Sequence, residues 1–214
     1  QIIGFKIING WAQDSWNGAA INIKGYHFGQ SPTNSQAVFE NCIIEDNDGN
    51  GPTVYIEGGM GIFRDCVIRN NRREYEMNVE IPGGAFSVAS QNFGAQAGYN
   101  IGVLVLDRSK VLSNFLDNTD TGGMGVELKG AGIRVNEAWA IISNSLIADN
   151  YFTGTSTSWS RGAGISVYNG SIALINSTIS GNEGFTGNNG SGLIVNNNWS
   201  GFEGFSRDLI ILNS

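Results

Sequence analysis

The sequence predicts an all-β chain that folds as a parallel β-helix, a solenoid of about six rungs with loops of variable length. Three observations predict this class. A short motif recurs along the chain, apolar residues alternate within it with the period of a strand, and a glycine precedes the second strand of each copy.

The motif has an apolar anchor, a small or thiol residue three positions later, a β-branched residue at the fifth position and asparagine at the eighth. Successive anchors are 24 residues apart between Phe39 and Phe63, but 43 apart between Phe63 and Leu106. Because the motif is constant while the spacing between its copies varies, we predict rungs of constant structure joined by loops of different length. Full copies begin at Phe39, Phe63, Leu106, Ile142 and Leu174, and partial copies at Ile2 and Ile211.

Each position of the motif has a structural reason. The second position after the anchor is mostly Asn, Asp or Gly, which tolerate a left-handed backbone, so a tight bend is predicted there. The asparagine at the eighth position is predicted to form an internal ladder, because stacked amides can bond from rung to rung. A glycine stands three residues before each inward pair of the second strand, at Gly18, Gly51, Gly83, Gly130, Gly162 and Gly190.

Composition limits the alternatives. The chain has 214 residues, 41% of them hydrophobic, which suits a single domain over 1–214. A net charge of −7 argues against nucleic acid, and no apolar run reaches the roughly 18 residues of a membrane span. Because the sequence opens and ends inside strand-like runs, we expect a fragment or processed part of a longer chain.

Four segments carry a family resemblance: GFKIING at 4–10, NCIIEDN at 41–47, GGAF at 83–86 and NSTISGN at 176–182. They resemble the right-handed β-helix repeat proteins of microbial surfaces, of the polymorphic outer-membrane protein type, and related secreted β-helix proteins. The resemblance implies a right-handed β-helix with an extracellular or cell-surface location. The resemblance says little about function, because adhesins, glycan-cleaving enzymes and structural fibres are all built from the same kind of rung.

Cys42 and Cys66 occupy the third position of neighbouring rungs, where their Cα atoms are expected about 5 Å apart. Serine fills this position in later rungs, so two stacked core thiols are one interpretation and a disulfide is the other. Neither thiol is predicted to be catalytic, because an inward thiol without a nearby cation is not activated.

A calcium-loop pattern, D-x-[DN]-x-[DN]-G-x5-E, begins at Asp46. Calcium takes several oxygen ligands from a turning loop, and the candidates are Asp46, Asp48, Asn50 and Glu57. The pattern lacks its usual flanking helices, so an ordinary acidic turn is the alternative. No cofactor is otherwise required.

Aromatic side chains fall mostly in the variable loops. Exposed rings suit the apolar faces of sugars, which makes these residues candidate glycan contacts, and the alternative is that they fold back over the rungs. Because His27 is the only histidine, a His-centred triad is not predicted. The candidate contacts are Trp11, Trp16, Tyr26, His27, Trp159 and Trp199.

The residue before each anchor faces outward by alternation, yet it is apolar. We call this row the outer stripe and predict that it is a contact surface, covered either by loops of this chain or by another chain. The stripe consists of Val38, Ile62, Val105, Ile141, Ala173 and Ile210.

Other candidate sites are weaker. No two Asp are adjacent, and Lys129 with Arg134, or Arg64 with Glu40, are the candidate groove residues for a lyase acting on acidic sugars. If the source organism glycosylates, sequons place candidate acceptors at Asn169, Asn176, Asn189 and Asn198.

The predicted function is a non-catalytic extracellular module, adhesin-like or for surface display, whose partner is an extracellular polysaccharide or another surface protein. One alternative is a structural subunit of a fibre or sheath that self-assembles through the outer stripe and the open end rungs. The other is a polysaccharide lyase or glycoside hydrolase.

Overall fold

The computed structural model describes residues 1–13, 17–25, 35–75, 83–92, 99–118, 127–154, 159–184, 191–196 and 208–213. Within these residues every regular element is a β-strand, so the all-β prediction is confirmed. The strand pairs among them are parallel, except that Gln91–Asn92 pairs with Tyr99–Asn100 in the antiparallel direction.

Three parallel sheets form the body of the fold, and the chain visits them in the order first, second, third. The seven strands of the first sheet are Ile2–Ile3, Gln36–Glu40, Met60–Arg64, Val103–Asp107, Trp139–Ser143, Ser171–Ile175 and Leu209–Leu212. The six of the second are Lys6–Ile7, Ile43–Glu45, Val67–Arg69, Lys110–Leu112, Leu146–Ala148 and Thr178–Ser180. The six of the third are Ile21–Lys24, Val54–Glu57, Phe86–Ala89, Ile133–Asn136, Ile165–Tyr168 and Leu193–Asn196.

Smaller parallel sheets lie between the second and third sheets along the chain. One contains three strands, Arg72–Tyr75, Phe115–Asn118 and Tyr151–Gly154. Two others are pairs, Trp11–Ala12 with Asp48–Gly49 and Glu127–Lys129 with Trp159–Arg161.

The repeats stack in register. Phe39 is opposite Phe63, which is opposite Leu106 on the next strand, so equivalent motif positions face each other. The inward residues of all three sheets share one core of aliphatic and aromatic side chains. Within it the Phe63 ring stacks on Phe39 at 4.8 Å and meets the Phe86 ring edge-on at 5.1 Å.

The asparagine ladder is confirmed. The amide Nδ2 of Asn71 donates to Oδ1 of Asn114 at 2.8 Å, and the backbone N–H of Asn71 donates to the same oxygen at 3.2 Å. Asn114 repeats both bonds towards Asn150, at 3.0 and 3.1 Å. Since these side chains are buried, the ladder satisfies polar groups that water cannot reach. The full series is Asn47, Asn71, Asn114, Asn150 and Asn182.

The predicted bend two residues after the anchor is also confirmed. Every copy has a positive φ there, and even Arg108, the exception by residue type, has φ 48°. A second left-handed position precedes the ladder asparagine and was not predicted. Its members are Asn9, Asp46, Asn70, Ser113, Asp149 and Gly181.

Ser113 is the member of this second bend least suited to a left-handed backbone, with φ 52°. We expect Ser113→Asn to raise the free energy of unfolding by about 0.5–1 kcal/mol, because Asn tolerates this conformation better than Ser. Urea denaturation followed by circular dichroism measures the change. Asn70→Ser is the reverse exchange at the equivalent bend of the preceding repeat, and it should lower the free energy of unfolding. If both variants were as stable as the parent, the explanation would be contradicted.

The glycines before the third sheet are required by a close approach of the backbone. A Cβ at Gly18 would lie 2.0 Å from the carbonyl oxygen of Ile21, and one at Gly83 would lie 2.4 Å from that of Phe86. Gly130 and Gly162 have the same conflict and also a positive φ. The glycine prediction is thus confirmed at these four positions and stays a prediction at Gly51, whereas Gly190 lies outside the described residues.

Both cysteines are free and buried in the structure. The Cys66 thiol donates to the carbonyl oxygen of Arg64 at 3.2 Å, just as the Ser109 hydroxyl donates to that of Asp107 at 3.0 Å. Cysteine and serine therefore perform the same packing role at this position. Burial raises the pKa of the Cys66 thiol to about 11.

We expect the native protein to be inert to a thiol-specific disulfide reagent at pH 8, because a buried thiol with a raised pKa holds little thiolate. In denaturant without reductant, both Cys42 and Cys66 should react. Cys66→Ser should halve that signal and change the melting temperature little. Absence of reactive thiols in denaturant would instead support the disulfide.

Candidate functional site

The outward face of the first sheet carries the outer stripe. Val38, Ile62 and Val105 are opposite one another on successive strands, and the register continues through Ile141 and Ala173 to Ile210. The alignment of the stripe is therefore as predicted. The residues of the stripe differ in exposure: Ile62 is 8% exposed, whereas Ile141 and Ile210 are 42% and 46% exposed. Ile141 and Ile210 are therefore the exposed members of the stripe, and the surface around them is open and apolar.

A depression lies at this open end, and we call it the Trp139 trough. It has a volume of about 200 Å³. It arises because Ser171 and Ala173, two of the three outward residues of the strand Ser171–Ile175, are smaller than Trp139, Ile141 and Ile210 on the neighbouring strands. Its walls and floor are formed by Trp139, Ile141, Ser171, Ala173, Asp208 and Ile210.

Trp139 was missed as a candidate contact by the sequence reasoning, which looked for aromatics in loops. It is 40% exposed on the outward face, two residues before the stripe position of its own strand. The signal that could have found it is the same alternation that identified the stripe, extended by one outward position.

A second depression of about 410 Å³ lies where the third sheet leads into the first, and we call it the amide pocket. Lys24 donates through Nζ to Oδ1 of Asn17 at 3.2 Å, and its ammonium lies 5.4 Å from the centre of the Tyr55 ring. Side-chain amides can donate and accept together, which suits sugar hydroxyl groups. The lining residues are Asn17, Asn22, Ile23, Lys24, Ser35, Gln36 and Ala37.

The predicted aromatic contacts divide into two groups. Trp11 is 66% exposed at the start of the strand Trp11–Ala12, and the backbone of Trp159 lies in Trp159–Arg161. Trp16, Tyr26, His27 and Trp199 lie outside the described residues. In the sequence, Tyr26 and His27 follow closely after Lys24, which lines the amide pocket.

The calcium candidates have other roles in this structure. Asp48 accepts a hydrogen bond from the Gly49 N–H and pairs with Arg72 at 3.3 Å. Asn50 donates to the Gln13 carbonyl at 3.1 Å, Asp46 occupies the left-handed bend, and Glu57 ends the strand Val54–Glu57. In the described parts of the chain, no three His, Cys, Asp or Glu side chains are grouped as metal ligands. Calcium binding stays a prediction.

The candidate lyase cations do not line an open groove. Lys129 and Arg134 are both buried, and the Lys129 ammonium lies 5.3 Å from the centre of the Tyr168 ring. Arg64 pairs with Glu40 at 3.0 Å on the outward face. A polysaccharide has no access to the buried pair in this structure.

Ion pairs connect successive strands on the outside of the second sheet. Glu45 accepts from Lys6 at 2.5 Å and from Arg69 at 2.6 Å, and these two cations lower the pKa of its carboxyl group. Asp65 is paired with Arg108 at 2.8 Å, which lowers the pKa of that carboxyl group likewise. These ion pairs join neighbouring repeats. The side chains of Asp65 and Arg108 are exposed, whereas that of Glu45 is only 7% exposed.

These pairs predict a pH dependence. A carboxyl group with a lowered pKa stabilises the fold above its ordinary pKa, which is 4.5 for Glu45, and this stabilisation is lost as pH falls through the lowered value. We expect Glu45→Gln to melt at a lower temperature than the parent at pH 7, with the difference vanishing below about pH 3. A difference that is the same at both pH values would contradict this, and Glu183→Gln is the control.

The sequons differ in access. Asn169 is buried with φ 49°, and Asn176 is exposed at the bend of its repeat. Asn189 and Asn198 lie outside the described residues. Of the described acceptors, only Asn176 presents a side chain to solvent.

Comparison with known proteins gives no match: no family model, no curated protein and no solved structure is similar to this chain. The described residues include no helix that is long and apolar enough to cross a membrane. Function has therefore to be argued from the two depressions and the faces around them.

Proposed function

We propose that the chain is a right-handed parallel β-helix of about six rungs that works as a non-catalytic, extracellular glycan-binding module. The three parallel sheets, visited in constant order, support the β-helix. The amide pocket is the observation that carries the function, because it gathers Asn17, Asn22, Lys24 and Gln36 around an open depression. Adhesion or surface display is the role that such a module fits.

The amide pocket suits a neutral sugar better than a charged one. Asn22 lines the depression and accepts a hydrogen bond from the Gly18 N–H at 2.8 Å, which holds its side-chain amide in place. Gln36 adds a second amide, and Lys24 adds N–H donors. A net charge of −7 on the chain disfavours an acidic polysaccharide as a long-range partner.

Retention on immobilised polysaccharides tests the proposal. Neutral β-glucan, mannan and chitin, together with acidic pectin, are incubated with the protein with and without calcium, and released oligosaccharides are followed by mass spectrometry. We expect retention on a neutral polysaccharide without products, weakened by Asn22→Ala with Gln36→Ala. Gln13→Ala is the matched control, because it removes an exposed amide elsewhere. Released products, or no retention at all, would overturn the proposal.

A second candidate function is assembly into a fibre or sheath. The edge strand Leu209–Leu212 is exposed along its whole length, and Ile2, Ile3 and Phe5 are exposed at the opposite edge of the stack. Ile2–Ile3 and Leu209–Leu212 are the end strands of the first sheet and carry the same motif, so the end strands of two copies can pair head to tail. Light scattering over a concentration series tests it, and a constant monomer mass at high concentration would count against it.

A further inference from the structure

We propose that the amide pocket selects sugars that carry an acetamido group, the N-acetylhexosamines. The inference rests on the proposed glycan-binding function and deepens it, because it names the substituent that this pocket recognises. An acetamido group combines a methyl group, a carbonyl acceptor and an N–H donor in one planar unit. The amide pocket offers an apolar floor and a polar rim, which match these parts.

The floor of the amide pocket is apolar. Ile23 is 4% exposed and belongs to the main core, and Ala37 is half-buried and packs against the same core. Both residues also line the depression, so its side nearest the core consists of carbon atoms. A methyl group that covers these atoms removes apolar surface from water, and this burial favours binding.

The rim of the amide pocket is polar. Asn22 and Gln36 are exposed and stand next to the two floor residues in sequence, so by alternation they lie on the outward faces of their strands. A side-chain amide can accept from an N–H group and donate to a carbonyl group. Lys24 adds an ammonium and Ser35 adds a hydroxyl group. An acetamido group can therefore bond to the rim through its N–H and its carbonyl oxygen while its methyl group contacts the floor.

Hydrogen bonds hold the rim in place. Oδ1 of Asn22 accepts from the Gly18 N–H at 2.8 Å. The Lys24 ammonium donates to Oδ1 of Asn17 at 3.2 Å and lies 5.4 Å from the centre of the Tyr55 ring. An ammonium has three N–H donors, so the bond to Asn17 leaves donors for a ligand. A site with ordered polar groups loses less free energy on binding and discriminates better between substituents.

An acetamido sugar fits this pocket better than an unsubstituted or an acidic sugar. A hydroxyl group in place of the acetamido group can bond to the rim, but it leaves the carbon atoms of Ile23 and Ala37 in contact with water. A carboxylate can pair with Lys24, but Glu57 is opposite Lys24 on a strand only about 4.8 Å away and would repel it. A volume of about 410 Å³ is within the range of about 300–1,000 Å³ for small-molecule sites.

NMR titration of the full chain with small probes tests the inference. The probes are the methyl β-glycosides of glucose and galactose, their N-acetylamino counterparts, and the N-formyl analogue of the glucose pair. We expect at least one N-acetyl probe to bind at least about tenfold more tightly than its parent hexoside. The N-formyl analogue keeps the amide but lacks the methyl group, and its affinity should lie between the two. This comparison needs no variant.

Variants then locate the binding site. Asn22→Ala with Gln36→Ala removes both rim amides and should weaken binding of the N-acetyl probe at least about tenfold. The weaker binding of the parent hexoside should change less. Gln13→Ala removes an exposed amide elsewhere and should leave the preference unchanged. Melting temperatures verify that the variants fold.

The outcomes separate this inference from the proposed function. An N-acetyl preference that is lost in the double variant and kept in Gln13→Ala supports the inference. Equal affinities for N-acetyl and parent probes overturn it, as does an N-formyl analogue that binds as tightly as the N-acetyl probe or a preference that the double variant retains. Retention on a neutral polysaccharide would then leave the proposed function standing. If the parent chain shows neither retention nor probe binding, both are overturned.

Discussion

Asn114→Ala is expected to lower the free energy of unfolding by about 3–5 kcal/mol. Asn114 is fully buried in the middle of the asparagine ladder. Its Oδ1 accepts from both the backbone N–H and the amide of Asn71, and its Nδ2 donates to the Ile68 carbonyl at 3.1 Å and to Asn150. Alanine leaves these buried groups without partners and opens a cavity besides.

Urea denaturation measures this loss, with two matched variants as controls. Asn182→Ala should cost less, because Asn182 is the last member of the ladder and is slightly exposed, so water can replace part of its bonding. Asn114→Asp keeps an acceptor but replaces the donor, and should destabilise strongly as well. If Asn114→Ala cost less than 1 kcal/mol, the ladder would not be a main source of stability.

Phe63→Ala is expected to cost about 3–5 kcal/mol as well, for a different reason. The ring is fully buried between Phe39, which stacks on it, and Phe86, which meets it edge-on. Its removal loses apolar burial, two aromatic contacts and the volume of a ring, and the backbone cannot collapse because the sheet hydrogen bonds fix the strand spacing.

Phe63→Leu is the matched variant and should cost only about 1–1.5 kcal/mol. Leu106 occupies the equivalent position on the next strand, so the stack accepts leucine at this position of the motif. Both variants are compared with the parent by urea denaturation. Equal losses for alanine and leucine would show that the aromatic contacts, and not the filled volume, determine the effect.

The sequence predicts the parts of this protein that repeat. Three features recur in several copies: the bend at Asn41 and Asp65, the ladder through Asn71 and the glycines before the third sheet. Because each feature occurs at the same motif position in every copy, the copies support one interpretation. The second bend was not predicted, although five of its six residues are Asn, Asp or Gly, the types that marked the first bend, and only Ser113 departs from them.

The candidate site was harder to predict because it depends on differences between repeats. The Trp139 trough exists because Ala173 and Ser171 are smaller than their neighbours on the adjoining strands, and no single copy of the motif reveals that. The outer stripe was predicted as a row, but the buried Ile62 and the open Ile210 depend on what lies over each strand. The calcium pattern at Asp48 is composed of residues that the repeat itself uses, one of them in an ion pair with Arg72.

The order of strands in the first sheet has a mechanical consequence. The strand Ile2–Ile3 forms one edge of this sheet and Leu209–Leu212 forms the other, with all remaining strands between them. A force applied between these two strands acts across the sheet, mainly along the interstrand hydrogen bonds, which are evenly spaced and slanted in a parallel sheet. It therefore peels the strands apart singly instead of shearing many bonds together. The protein should lengthen under tension in small successive steps, each releasing one strand and the loop behind it.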